Sequence, residues 1–385
     1  MKESGGNRPD QGPPHDFIPD EQRESSSWST RRVRVHHEAV SPQRPLRPGE
    51  SNGVVQAGAG TWPFLPERDT FSPEAMFDLR DLNEKVAGQS GFVRLSPDGE
   101  SFVLGDGSPV RFWGVTTYVQ RDRSAEDLAH QARFLAKRGV NMVRLHGELE
   151  SKDKGANLTD VDQKTIDEAW KLVAAMKKEG IYTTISPYWA ASLKHVPASW
   201  GIEGWPENQD AQGLLFFNPK FQEGYKAWLK ALLATPNPQT GIPLAHDTAL
   251  AIIQLQNEDS MLFWTMQSVK GRQLQLLGQQ FGTWLRKKYG SLDRALRAWD
   301  GDAMPEDDFS RGIVGIHIVW EWTQDREGGR KRRLDDQLQF FAATMYRFNQ
   351  ENRHHDATVC FHACQVFGRV ACRGNGITCG REPRP

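Results

Sequence analysis

Apolar and polar positions along this chain switch between two periods. Short apolar runs bounded by Gly, Pro or Asp-Gly alternate with longer stretches whose apolar residues recur every three or four positions. Near residues 92–105 the runs FVRLSPDG and SFVLG flank an Asp-Gly turn and predict a hairpin. Further on, the pattern predicts strands over residues 110–118, 140–146, 182–189 and 249–256. Helices are predicted over residues 124–138, 162–179, 219–233, 267–289 and 334–352. Ser124 and Asp127 form a capping box at the first helix, and Gly139 and Gly180 stop the first two.

Strand, helix, strand, helix with short connections predicts parallel strands joined by crossovers. Two architectures satisfy this, a TIM-type (β/α)8 barrel and a doubly wound open sheet. No Gly-x-Gly-x-x-Gly follows any predicted strand, which weakens a nucleotide-binding sheet. The run ALAIIQLQ at residues 249–256 has six apolar residues in eight, as a strand covered on both faces requires. Asn257 and Glu258 then fall at its carboxyl end, where parallel barrels keep their chemistry. An amide beside a carboxylic acid suits glycosidic bonds: the amide holds a hydroxyl next to the scissile bond while the acid protonates the leaving oxygen.

Composition removes several classes of function. The 385 residues carry a formal net charge of −1, so no global field favours nucleic acid or an anionic membrane. No apolar run reaches the ~18 residues of a membrane span, and the first residues lack the apolar core of a secretion signal. Compartment and oligomeric state are not readable. The 13 Trp against 6 Tyr suit both a core and a cleft that stacks flat rings. Residues 1–60 are rich in Pro, Ser, Arg and Gly and are read as a disordered segment, with the basic run at 31–37 solvated. The ordered domain is read as residues 61–353, beginning near 62–65. All 4 Cys lie in the segment 354–385, at Cys360, Cys364, Cys372 and Cys379. They form no Cys-x-x-Cys pair, so the segment is read as a non-native-looking tail rather than a metal knot, even with His354, His355 and His362 nearby. No metal or other cofactor is predicted.

Three motifs in order resemble the glycoside hydrolases of the large barrel clan, specifically the cellulase-like family 5. They are GSPVRFWG at residues 107–114, GVNMVRLH at 139–146 and Gln256-Asn257-Glu258, and the resemblance covers about residues 62–353. It implies an O-glycoside hydrolase acting on a β-linked poly- or oligosaccharide by the retaining, two-carboxylate route. By resemblance Glu258 is the general acid and then base, and Asn257 binds the hydroxyl beside the reacting carbon. Arg144 sits under the nucleophile and keeps it ionised, His146 lines the subsite floor, and Trp189 is a stacking platform. Each residue also has a structural explanation: a solvated acid, a barrel ion pair, a core histidine, or loop packing for Trp189, Trp200 and Trp205.

The resemblance also requires a second carboxylate, ~5 Å from the first, at a later strand end. After the helix at 334–352 the alternation stops, so an incomplete barrel is expected, with the reading frame disturbed near His355 and activity of this chain weak or absent. An alternative reads residues 312–322 as a strand ending in Glu321, which would then be the nucleophile. The competing function is a non-catalytic carbohydrate-binding or remnant protein whose Trp-rich loops hold sugar without cleaving it. An isomerase or aldolase barrel lacks the apolar-flanked strand-end lysine or metal-spaced Asp/His set that it would need.

Overall fold

The computed structural model describes residue 60 and residues 68–119, 121–193, 196–204 and 211–354. The predictions for residues 1–59, the onset of order near 62–65, Trp205, and the cysteine-bearing segment beyond 354 lie outside these residues.

The elements fall in two sheets. β1 (Arg94–Leu95), β2 (Phe102–Val103) and β3 (Pro109–Val110) form a small antiparallel meander. β4 (Gly114–Tyr118), β5 (Met142–His146), β6 (Tyr182–Ser186) and β7 (Leu250–Ile253) form a parallel sheet in the order β4-β5-β6-β7. A doubly wound sheet reverses its strand order part-way, whereas each strand here lies beside its predecessor, as in the wall of a barrel. The described residues thus hold four parallel strands of α/β type.

The helices are α1 (Ala125–Ala136), α2 (Gln163–Lys178), α3 (Leu214–Phe217), α4 (Pro219–Ala234), α5 (Gly271–Tyr289), α6 (Leu292–Ala298), α7 (Val319–Trp322) and α8 (Gly328–His354). Their starts follow from the capping residues. Ser124 accepts from the Asp127 N–H (3.0 Å), Asp162 from Thr165 N–H (3.1 Å) and Asn218 from Phe221 N–H (2.9 Å). Each such cap is worth about 1 kcal/mol. Buried Ile166, Ala169, Trp170, Val173 and Met176 give α2 an apolar stripe at helical spacing. The Trp170 indole N–H donates to the Leu232 carbonyl of α4 (3.0 Å), which ties neighbouring helices together.

Period-two alternation in β5 assigns the two faces of the parallel sheet. Val143 and Leu145 join Ile185 and Ile253 in the main apolar core, each side chain stabilising the fold by roughly 1.5–3 kcal/mol relative to exposure. On the opposite face, Met142, Arg144 and His146 follow one another towards the strand's carboxyl end. Register places Thr116, Arg144 and Thr184 in one row across three strands. At the amino-terminal end of this face, Met142, Tyr182, Ala249 and Ala251 pack with Val93, Phe102 and Phe112. The hairpin that the Asp-Gly turn predicted therefore covers that end of the sheet.

Three sequence expectations need correction. The predicted strand 110–118 is two strands, because Val110 pairs back onto β2 while Asn141 holds the connecting backbone. The Asn141 Oδ1 accepts from Trp113 N–H (2.7 Å) and its Nδ2 donates to the Arg111 carbonyl (2.9 Å). The predicted helix at 267–289 begins only at Gly271, since Lys270 is extended and Trp264–Ser268 forms a separate 3-10 helix. Residues 312–322 are no strand: Ile313 makes one isolated bridge to Asp308, and Val319–Trp322 is helical.

Candidate active site

The polar face of the parallel sheet brings four of the predicted residues together. Arg144 and His146 lie on one side of β5, two positions apart, so both project from the same face. β7 pairing continues irregularly past its last strand residue: Gln254 N–H donates to the Ile185 carbonyl (2.8 Å), and Asn257 N–H donates to the Tyr188 carbonyl (3.0 Å). Trp189 and Asn257 form a parallel bridge. These bonds carry the tip of β7 alongside the end of β6 and fix where Asn257 stands.

Asn257 is buried, at 4% exposure, and its amide is oriented by Arg144. The guanidinium donates from Nε and Nη2 to the Gln254 Oε1 (2.9 and 2.6 Å), and from Nη2 to the Asn257 Oδ1 (2.5 Å). A cation fixes the oxygen end of an amide, because guanidinium is donor-only. The Asn257 Nδ2 is thereby left as the end that can donate to a ligand. Arg144 was expected to lie under a carboxylate; among the described residues its partners are two amides instead. Gln254 Oε1 accepts from both Nε and Nη2 of that fork.

Glu258 follows at the strand tip and is exposed. Its φ of +47° puts a non-glycine residue in the left-handed region, a conformation that costs of order 1–3 kcal/mol and clusters at functional positions. Asp259 then turns back inward, accepting from Gly213 N–H (2.8 Å), so the loop after Glu258 is anchored to the start of α3. Glu258 is thus presented to solvent between two buried, fixed neighbours.

His146 and Trp189 line a cavity of about 200 Å³ with Tyr118, Arg121, Glu148 and Thr165. The Tyr118 ring stacks on His146 at 5.6 Å between centroids, and the Trp189 ring lies 6.3 Å away on a tilt. His146 Nδ1 is buried without a hydrogen-bond partner among the described residues. Burial and the adjacent Arg144 push its pKa down, while the Glu258 charge works the other way. A neutral imidazole presents one donor and one acceptor, the pairing that a sugar hydroxyl matches. Arg121 bonds Asp162, the cap of α2, and closes one wall.

Tyr118, Gln254, Arg121 and Glu148 were not singled out from the sequence. The register of Tyr118 opposite His146 is the signal that could have found Tyr118. Glu148, two residues beyond His146, has the same parity but lies in a loop, paired with Lys152. Glu321 belongs elsewhere: it sits in α7, held by Arg326 and Arg330 (3.2 Å each), and lines a different cleft. Trp200 is packing, at 1% exposure against Phe221 and Trp228. Among the described residues no group of three or more His, Cys, Asp or Glu could hold a metal ion, and no helix is long and apolar enough to cross a membrane.

No family model matches the chain, and no curated protein matches it. Among solved structures it is similar to an endo-1,4-beta-mannanase from Rhizomucor miehei, with 15% identity, a TM-score of 0.36, and coverage of 45% of this chain and 50% of that one. It is also similar to a glycoside hydrolase family 5 mannosidase from Rhizomucor miehei, with 14% identity and a TM-score of 0.33 over 67% of this chain and 70% of that one. An endo-beta-1,4-mannanase from Thermotoga petrophila matches at 14% identity and a TM-score of 0.33, over 48% of this chain and 42% of that one. The chain spans about half the length of the Rhizomucor mannanase it matches. At these identities and TM-scores the likeness assigns no activity to the chain.

Proposed function

We propose that this chain carries the acid/base half of an O-glycoside hydrolase site for β-linked glycans. The observation that supports this best is the fixed pair at the tip of β7: a buried amide oriented by Arg144, followed by an exposed carboxylate in a left-handed conformation. In this reading Glu258 protonates the departing glycosidic oxygen and later takes a proton from the attacking water. The Asn257 Nδ2 donates to the hydroxyl beside the reacting carbon, His146 contacts a neighbouring hydroxyl, and Tyr118 and Trp189 provide apolar walls for sugar rings.

The retaining route needs a second carboxylate as nucleophile. With Arg144 engaged by two amides, that role has no assigned residue among the described ones, and slow turnover is the expectation for this chain. Product analysis after long incubation with galactomannan, mixed-linkage β-glucan and xylan, for the chain and for Glu258→Gln, tests the reading. Cleavage that disappears in the variant supports it; equal cleavage in both removes Glu258 from the mechanism.

A second reading, sugar binding without cleavage, is favoured by the same Arg144 contacts. Saturable oligosaccharide binding by calorimetry with no product would select it.

A further inference from the structure

The segment 312–318 runs antiparallel along α5 towards the start of that helix. A β-carbon on Gly282 would run into the Gly312 carbonyl and one on Gly278 into the Val314 carbonyl, and Val314 N–H donates to the Gly278 carbonyl (3.2 Å). The same course brings Ile316, His317 and Ile318 to the first turn of α5. There, with Met266, Leu274 and Trp322, they line a cavity of about 360 Å³. A space of that size accommodates a small molecule.

The start of α5 is uncapped. Lys270 precedes the helix in an extended conformation, no side chain caps it, and the first turn carries no acidic residue. The first N–H groups of this 19-residue helix therefore lack a side-chain acceptor, and its dipole places roughly half a positive charge there. Lys270 lines the cavity, is exposed, and pairs with no carboxylate among the described residues. It is the one charged residue in a lining whose other polar side chains are Gln267 and His317.

His317 is an independent sign of an occupant. It is 4% exposed, and its Nε2 is buried without a hydrogen-bond partner among the described residues. Buried polar atoms are ordinarily paired, so an unpaired one facing a cavity marks a place for a bound group. The residue is held in this position by its backbone. Gln337 bonds its N–H (2.8 Å) and its carbonyl (2.9 Å), and the Trp322 indole N–H donates to that same carbonyl (3.2 Å). Glu321 offers no competing acceptor, since Arg326 and Arg330 hold its two oxygens (3.2 Å each).

We infer that this cavity binds a small organic monoanion, its carboxylate at the first turn of α5 beside Lys270 and His317 and its aliphatic body against Ile316, Ile318 and Trp322. One lysine and about half a helix charge balance a carboxylate but not a phosphate dianion. The inference uses none of the residues of the glycan reading, so either can fail without the other.

Saturation-transfer NMR and calorimetry on the full chain test it, with octanoate as the probe and octanamide and octylamine as controls. Octanoate is expected to bind saturably with a roughly millimolar Kd or tighter, and about tenfold better than either control. Lys270→Gln and, separately, Ile318→Asp are expected to weaken octanoate binding about tenfold, with octanamide binding unchanged in Lys270→Gln. Both side chains are exposed, so the fold is retained, and circular dichroism checks it. Lack of saturable octanoate binding overturns the inference, as does equal binding of octanoate and octanamide. Full octanoate binding in either variant overturns it too. Equal losses of octanoate and octanamide in Lys270→Gln would assign the cavity to apolar contact alone and likewise overturn it.

Discussion

Arg144 donates from Nη2 to the Oδ1 of Asn257, 113 residues further along the chain, and so determines which end of that amide can meet a ligand. Asn257→Asp separates orientation from donation. The new carboxylate faces the guanidinium, so the fold is retained, but the N–H donor is gone. Turnover of polysaccharide is expected to fall roughly 10²-fold, the scale for losing one oriented donor in a site. Thermal unfolding and initial rates check the two halves of this statement, and a variant with unchanged rates contradicts it.

Two buried groups give stability opposite pH slopes. Burial, with the Asp162 charge adding, pushes Glu150 up to about 7 from 4.5, so the fold keeps it protonated where the unfolded chain releases its proton. Its contribution is complete below pH 4.5 and is lost as pH rises through about 7. Burial, with Arg333 and Arg330 adding, pushes His317 down to about 4 from 6.5. Its contribution is complete above pH 6.5 and is lost as pH falls through about 4. Each slope integrates to about 3 kcal/mol. The two windows overlap, so the slopes largely offset in wild type. In urea unfolding from pH 4 to 8, stability is expected to rise with pH across about 4.5–6.5 in Glu150→Gln and to fall with pH there in His317→Asn. Parallel profiles for wild type and both variants would refute the assignment.

Arg333 is fully buried, and its guanidinium meets Asp307 at 2.6 and 2.8 Å, the carbonyls of Asp302 and Gly315, and the Trp299 ring at 4.9 Å. Removing one partner of a buried pair leaves an uncompensated charge. Arg333→Ala is expected to destabilise by about 3–5 kcal/mol. The double variant with Asp307→Ala should recover part of that loss, and a double-mutant cycle in urea measures the coupling. An Arg333→Ala protein as stable as wild type would show that the pair carries nothing.

Much of this arrangement was legible in the residues because local rules and tertiary context agree. The capping box at Ser124 began α1 where the structure has it, and the apolar runs at 140–146 and 182–189 located β5 and β6. Asn257 and Glu258 stand at the strand tip where the apolar run ends. What was illegible depends on contacts distant in sequence. Gln254 in the fork of Arg144 cannot be seen from either segment alone. The strand predicted through 111–113 is broken by Asn141, some thirty positions away. The apolar run before Glu321 satisfies a strand pattern, yet its backbone is held by Gln337, which bonds both the N–H and the carbonyl of His317 (2.8 and 2.9 Å).

Dependence on the leaving group tests the role of Glu258 most directly. Rates of glycosidic cleavage should be compared for wild type and Glu258→Gln, using polysaccharide and aryl glycosides whose phenols differ in acidity. A proton donor matters most when the departing oxygen is basic, so the variant is expected to lose roughly 10²–10⁴-fold on polysaccharide and far less on a dinitrophenyl glycoside. Equal losses across all leaving groups, or no difference between the two proteins on polysaccharide, would contradict proton donation by Glu258.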